Sequence, residues 1–210
     1  MSLTTARFVS IAAALAGFAL SAQAQAVVDF EDLGGFAFMN NNSIVSDGFT
    51  VAHNGSFAEV LDASQTSLSG NGTARLVSFN TSTITLSAVD GHSFGVNGFD
   101  GGESWIQSGS PHYWATQIKV VGSFAAGGTT SQTFDLDLIK DPTLGMQHFV
   151  LNGSFQNLNT IAFSGIGGNP EFSIDNVATT APVPEPETYA LLLAGLGVVG
   201  FVARRRDRRA

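Results

Sequence analysis

Between Val27 and Ala181 apolar and polar residues alternate in short runs, and no window sustains a 3.6-residue period. Ile84, Leu86 and Ala88 alternate with Thr83, Thr85 and Ser87. Trp114, Thr116, Ile118 and Val120 alternate with Ala115, Gln117 and Lys119, Phe134, Leu136 and Leu138 with Asp135 and Asp137, and Phe172 and Ile174 with Ser173 and Asp175. A period of two puts successive side chains on opposite faces of a strand, so each run predicts a half-buried strand. The pattern predicts up to eleven strands, near 27–31, 47–53, 57–61, 74–79, 82–88, 92–97, 114–121, 132–139, 147–151, 159–164 and 171–177. Turn pairs such as Asp47-Gly48, Asn71-Gly72, Asp90-Gly91 and Gly127-Gly128 separate them. Many short strands, polar on one face and Phe-rich on the other, predict an all-β antiparallel β-sandwich over 27–181. With no cysteine in the chain, its core must come from those phenylalanines, at roughly 1.5–3 kcal/mol for each one buried.

The two ends read differently. Arg7 precedes Val9–Leu20, an apolar run too short to span a bilayer comfortably, and Ser21-Ala22-Gln23-Ala24-Gln25-Ala26 then offers two small-x-small sites. That order predicts a secretory signal peptide over 1–26, an N-terminal signal helix removed by signal peptidase. Near the other end, residues 188–203 (TYALLLAGLGVVGFVA) carry no charge. As a helix this stretch reaches about 24 Å, short of the ~30 Å hydrocarbon core. Arg204, Arg205, Arg206, Arg208 and Arg209 follow. By snorkelling they make up the deficit, and the positive-inside rule keeps them cytoplasmic. The expectation is a short C-terminal transmembrane helix over 188–203 with a basic cytoplasmic tail over 204–210. Pro182, Pro184 and Pro186 make 182–187 an extended linker between this helix and the sandwich.

Val183-Pro184-Glu185-Pro186, the short apolar helix with Gly195-Leu196-Gly197, and the terminal arginines stand in a fixed order behind an N-terminal signal peptide. The arrangement resembles the PEP-CTERM sorting signal of Gram-negative bacteria, which is read by an exosortase, an integral-membrane cysteine transpeptidase-like enzyme. The resemblance implies that Val183–Pro186 is the recognition motif and that 188–203 holds the substrate in the inner membrane. It implies further that Arg204–Arg209 stop translocation, and that the protein ends at the cell surface or in an extracellular, exopolysaccharide-rich biofilm matrix.

Charge sharpens the division. Arg75, Lys119 and Lys140 face fourteen carboxylates between Val27 and Ala181, a net of −11. Such a surface repels phosphate backbones and excludes nucleic acid as a partner. The absence of cysteine removes disulfides, thiolate nucleophiles and cysteine-held metals. Neither H-E-x-x-H nor a phosphate-cradling loop occurs. His53, His92, His112 and His148 lack H-x-H or i, i+4 partners. Asp135 with Asp137 and Asp100 with Glu103 are carboxylate pairs of the kind glycosidases use, and the first pair reads as a solvated outer face. No enzyme is expected.

The ends of the sandwich segment, Val27-Val28-Asp29-Phe30-Glu31-Asp32 and Glu171-Phe172-Ser173-Ile174-Asp175-Asn176-Val177, resemble those of the jelly-roll found in many carbohydrate-binding modules. The resemblance implies a structural calcium where Glu31 and Asp175 meet. Asn176 departs from it, standing where a second acid is often found, and there is no Asp-rich calcium loop. Between strands, Gly98–Trp114 (GFDGGESWIQSGSPHYW) reads as a Gly/Ser-rich loop holding both tryptophans. Sugars stack on aromatic faces while carboxylates bond their hydroxyls, so Trp105, Tyr113, Asp100 and Glu103 are the candidate carbohydrate contacts. Trp114 falls in phase with Ile118 and Val120 and is expected in the core.

The sequence thus predicts an exported, non-catalytic surface or matrix protein, sorted by an exosortase and associated with exopolysaccharide. Two alternatives stand beside it. One is an extracellular polysaccharide-acting hydrolase. The other is an ice- or surface-adhesion protein, which needs a flat, regular Thr array of which Thr81, Thr83 and Thr85 are the visible part.

Overall fold

A computed structural model describes residues 25–35, 37–39, 42–55, 57–65, 70–79, 81–104, 114–139, 145–168, 170–180 and 196. The chain divides into two compact units. Ala24–Pro182 form one, and Met1–Gln23 with Val183–Ala210 the other. Residues 1–24 of the predicted signal segment and, apart from helical, exposed Leu196, the predicted transmembrane helix lie outside the described residues, while Gln25 and Ala26 open the first strand. Among the described residues no helix is long and apolar enough to cross a membrane.

The unit Ala24–Pro182 is built of strands: β1 (Gln25–Val28), β2 (Ala37–Met39), β3 (Ser43–Ser46), β4 (Phe49–His53), β5 (Phe57–Leu61), β6 (Arg75–Phe79), β7 (Thr83–Ala88), β8 (Gly95–Glu103), β9 (Gln117–Phe124), β10 (Thr129–Asp135), β11 (Gln147–Val150), β12 (Leu158–Ile166) and β13 (Phe172–Thr180). They form two antiparallel sheets. The seven-stranded sheet runs β11-β8-β13-β6-β5-β2, with β1 also paired to β13, and the six-stranded sheet runs β10-β9-β12-β7-β4-β3. The all-β antiparallel sandwich expected from the alternation is the observed fold.

The alternation places the core between the sheets. Ile84 and Leu86 of β7, Ile118 and Val120 of β9, Ile161 and Phe163 of β12, and Phe172 and Ile174 of β13 are all fully buried. Phe99 of β8 is the aromatic hub, with ring centroids 5.5 Å from Phe134, 5.4 Å from Phe149 and 5.0 Å from Phe163. Such offset and edge contacts add to area burial by roughly 0.5–1.5 kcal/mol per pair.

Four expectations need correction. The strand predicted near 47–53 is the second arm of a hairpin, β3–β4, whose turn residues Asp47 (φ 50°) and Gly48 (φ 80°) both take the left-handed conformation that a tight two-residue hairpin demands. The strand predicted at 92–97 starts at Gly95 and continues to Glu103, so Gly98–Glu103 are strand rather than loop. Trp114 precedes β9 and is half-buried, while its neighbour Ala115 takes the fully buried place. The strand through Phe134 ends at Asp135 although Leu136 still enters the core, and Leu138 turns outward at φ 62° with 48% of its surface exposed.

Outside the core, the six-stranded sheet shows a face of short side chains. One row crosses all six strands in register: Ser131, Val121, Ala162, Thr85, Ala52 and Ser43. The seven-stranded sheet differs, because its outer face includes Arg75, Ser173 and Asp175, all essentially without exposure.

Candidate functional site

Of the polar groups singled out in the sequence, Asp100, His148 and Asp175 gather on the outer face of the seven-stranded sheet. Register sets the arrangement: Asp175 of β13 lies opposite Asp100 of β8, and Asp100 lies opposite His148 of β11. His148 Nδ1 and Asp100 Oδ1 are 2.8 Å apart, so this histidine, solitary in the sequence, has a partner 48 positions away. The other Asp100 oxygen accepts from Asn176 Nδ2 at 2.8 Å. Asn176 sits at φ 48°, where the β13–β8 register shifts after Asp175. A bulge of this kind re-aims a side chain, and here it turns the amide toward Asp100.

Asp175 has no exposure. Its Oδ2 accepts from Asn71 Nδ2 at 2.7 Å and Thr73 Oγ1 at 2.8 Å, and its Oδ1 accepts from the Asn176 amide at 2.7 Å. Burial pushes its carboxyl up from 3.8 to about 7, against the three hydrogen bonds and helped by the charge of Asp100. Arg75, also buried, stands close enough to interact with Asp175 and donates to the carbonyls of Gln65 at 2.7 Å and Asp62 at 3.4 Å.

Glu31 reaches the same segment from the other side, its Oε1 accepting from the Ala74 amide at 2.8 Å. Glu31 and Asp175 thus both bond the segment 71–74, and they meet N–H and O–H groups there. Calcium binds oxygen ligands; here three of the four carboxylate oxygens, Glu31 Oε1 and both of Asp175, accept from N–H or O–H groups. Among the described residues no group of three or more His, Asp or Glu side chains could hold a metal ion. In this arrangement the two carboxylates pin a connecting segment.

Glu103 closes β8 with no exposure, which corrects its expected place on a sugar-facing loop. Its Oε1 accepts from the Leu138 amide at 2.6 Å, and its Oε2 is buried with no hydrogen-bond partner. Burial raises its pKa above the ordinary range, with the Asp137 charge adding a little. Of the four candidate carbohydrate contacts, Asp100 is partly accessible, Glu103 is sealed, and Trp105 and Tyr113 lie outside the described residues. The sorting motif Val183–Pro186 and the arginine tail lie outside them too.

One sequence signal had no place among the expectations. Gly91-His92-Ser93-Phe94-Gly95 has the G-x-S-x-G spacing of a nucleophile elbow. Gly91–Phe94 lie between β7 and β8 and Gly95 opens β8; His92, Ser93 and Phe94 line a cavity of about 200 Å³ with Phe49, Thr180 and Asp90. An elbow joins a strand to a helix, and here a strand follows. The His92–Asp90 contact of 3.2 Å belongs to a local turn in which the His92 amide also bonds Asp90, and no hydrogen bond joins Ser93 to His92. The spacing is present without the machinery.

No curated protein matches the chain. Among solved structures, a family 29 carbohydrate binding module is similar at TM-score 0.45 and 13% identity, over 79% of this chain and 97% of that one. TmCBM61, solved with β-1,4-galactotriose, has TM-score 0.38 and 14% identity over 62% and 86% of the two chains. CBM32-3 from a family 31 glycoside hydrolase of Clostridium perfringens has TM-score 0.36 and 14% identity over 75% and 95%. Similarity at this level carries nothing about ligands. Residues 182–206 match the PEP-CTERM protein-sorting motif, the stretch in which the prolines, the apolar run and the first arginines follow one another.

Proposed function

We propose that this chain is an exported, non-catalytic surface or matrix protein that an exosortase sorts through its C-terminal signal, and that its sandwich domain associates with exopolysaccharide. The observation that carries the reading is the match of 182–206 to the PEP-CTERM motif, which begins where the compact unit Ala24–Pro182 ends. In this reading a signal peptidase removes 1–26, and 188–203 rests in the inner membrane with Arg204–Arg209 on the cytoplasmic side. The exosortase then acts at Val183–Pro186. The non-catalytic part is supported by the carboxyls themselves. Asp175 and Glu103, whose raised pKa values suit an acid catalyst, are closed to solvent, and Asp100 is held by His148 and Asn176. Trp105 and Tyr113 are the aromatic contacts proposed for the sugar, with Asp100 as a polar neighbour.

The test replaces Pro184-Glu185-Pro186 with alanines in a host that carries an exosortase. The expected result is uncleaved protein retained in the inner membrane; unchanged surface delivery would overturn the sorting reading. Release of reducing sugar from polysaccharide by the wild-type protein would make it a hydrolase instead.

A further inference from the structure

We infer that the outer face of the six-stranded sheet is a docking surface for a neutral polysaccharide, met through short hydroxyl and methyl groups rather than aromatic rings. The inference rests on the glycan association proposed above and adds a second surface to it. Beside the central row Ser131–Val121–Ala162–Thr85–Ala52–Ser43, the chain pairs Thr129 with Ser123 and Ser123 with Thr160 on one flank. Thr133, Lys119, Ser164 and Thr83 form the opposite flank. The hydroxyls of Thr83 and Ser164 bond each other at 3.0 Å. Those of Thr85, Ser123 and Thr160 have no protein partner among the described residues.

The chemistry of the face selects its partner. A Ser or Thr hydroxyl both donates and accepts, which is the dual capacity of a sugar hydroxyl. The methyl groups of Val121, Ala162 and Ala52 between them suit the apolar C–H face of a pyranose. Charge points the same way. In a segment of net charge −11, the one ionic group of these three rows is Lys119, and Asp135, in the next row, is tied to Gln117 Nε2 at 2.6 Å. A nearly neutral face on an acidic domain fits an uncharged polymer, because an anionic one would meet the repulsion of the rest.

Size argues against a second copy of the chain. Six strands at about 4.8 Å spacing and four alternate positions along them give a face of about 24 by 20 Å, or about 500 Å². A stable protein partner covers roughly 800 Å² on each side. An ice lattice would want one group repeated at every position. The central row instead mixes hydroxyl and methyl groups irregularly, with Val121 beside Ala162, and exposed Lys119 interrupts the flank.

The test uses the full chain in detergent micelles, pulled down on microcrystalline cellulose and on chitin as neutral probes and on alginate as an anionic one. Wild type is expected to bind a neutral probe. Thr85→Lys/Thr160→Lys, which sets charged stems into the face, should bind it about tenfold more weakly. The shape-conserving Thr85→Val/Thr160→Val should bind several-fold more weakly, with melting curves matching wild type. Val150→Lys, at a 66% exposed position on the other sheet, is the control and should bind as wild type does. Unchanged binding by both face variants, with loss in Trp105→Ala, would overturn the face and leave glycan association standing. Failure of wild type on both neutral probes would overturn face and association together. Ice-crystal shaping, or a dimer that dissociates in the face variants, would assign the face to another partner.

Discussion

The buried Glu103 carboxylate accepts the Leu138 amide at 2.6 Å and so holds a residue with φ 62° and a half-exposed side chain. A non-glycine residue in the left-handed region is uncommon and persists where its surroundings over-determine it. Glu103→Leu removes the acceptor and leaves that amide unsatisfied, at a cost of ~1–3 kcal/mol. Glu103→Gln keeps an oxygen in place and should cost less. Urea unfolding ranks the two variants, and hydrogen exchange at Leu138 should accelerate in the leucine variant first.

Asp175 ties stability to pH in a direction opposite to that of an ordinary salt-bridged carboxylate. Its native pKa, about 7, lies above the ordinary 3.8. Below 3.8 both folded and unfolded chains hold the proton. As the pH climbs, the unfolded chain loses it first, so stability from this group falls between about 4 and 7 and is level above that. Asp175→Asn, which cannot titrate, should unfold with a flatter profile across that window. An Asp175→Asn curve parallel to wild type from pH 4 to 7 would refute the assignment.

His53 works the other way. It is buried on β4, and burial lowers its pKa below 6.5. The unfolded chain therefore takes up this proton first as the pH falls, and the stability that neutral His53 contributes above 6.5 is lost on acidification. The imidazole signals in an NMR titration of the folded chain should put its midpoint below 6.5.

Two glycines of β8 should resist substitution for different reasons. A Cβ on Gly101 would stand 2.8 Å from the Phe99 ring and 2.9 Å from Ile118 Cδ1, so Gly101→Ala overpacks the core and should cost ~1–3 kcal/mol. A Cβ on Gly102 would stand 2.7 Å from the Gly145 carbonyl oxygen, and backbone must move. Gly102→Ala should therefore be the worse of the pair, and thermal melts of both decide it.

Removing Arg204–Arg209 should let the apolar segment slip through the inner membrane, because those charges are what the sorting proposal sets against translocation. The expected product is protein released into the periplasm, read by cell fractionation. Retention in the membrane fraction at the wild-type level would count against the tail's role.

These same residues show where the sequence was legible. Thr83–Ala88, with clean alternation, lies where the period of two predicts because burial of one face dictates it, while Gln117–Phe124 starts and ends three residues later than the predicted 114–121. β8 was hidden by its glycines, which resemble loop punctuation. They are there because Phe99, Ile118 and the Gly145 backbone approach too closely for a side chain. The polar cluster was hidden by distance along the chain: Asp175 meets residues 102 and 104 positions away, and nothing local marks that meeting. Glu103 looked accessible because its neighbours are polar and small, and only the packed sheet shows its burial.

β1 and β13 are paired so that Val27, the first residue after the proposed cleavage, lies opposite Ala178. The domain therefore begins and ends at one pole. If the protein is held by the chain that follows Thr180, tension enters through β13, which is hydrogen-bonded to β8 on one side and to β6 on the other. Pulling along such a strand loads its ladder bonds together, in shear, instead of opening them one after another from a free edge. A handle at this position makes the sandwich mechanically resistant under flow, and its weak direction is the one in which Val27 is drawn away and what remains of β1 peels first.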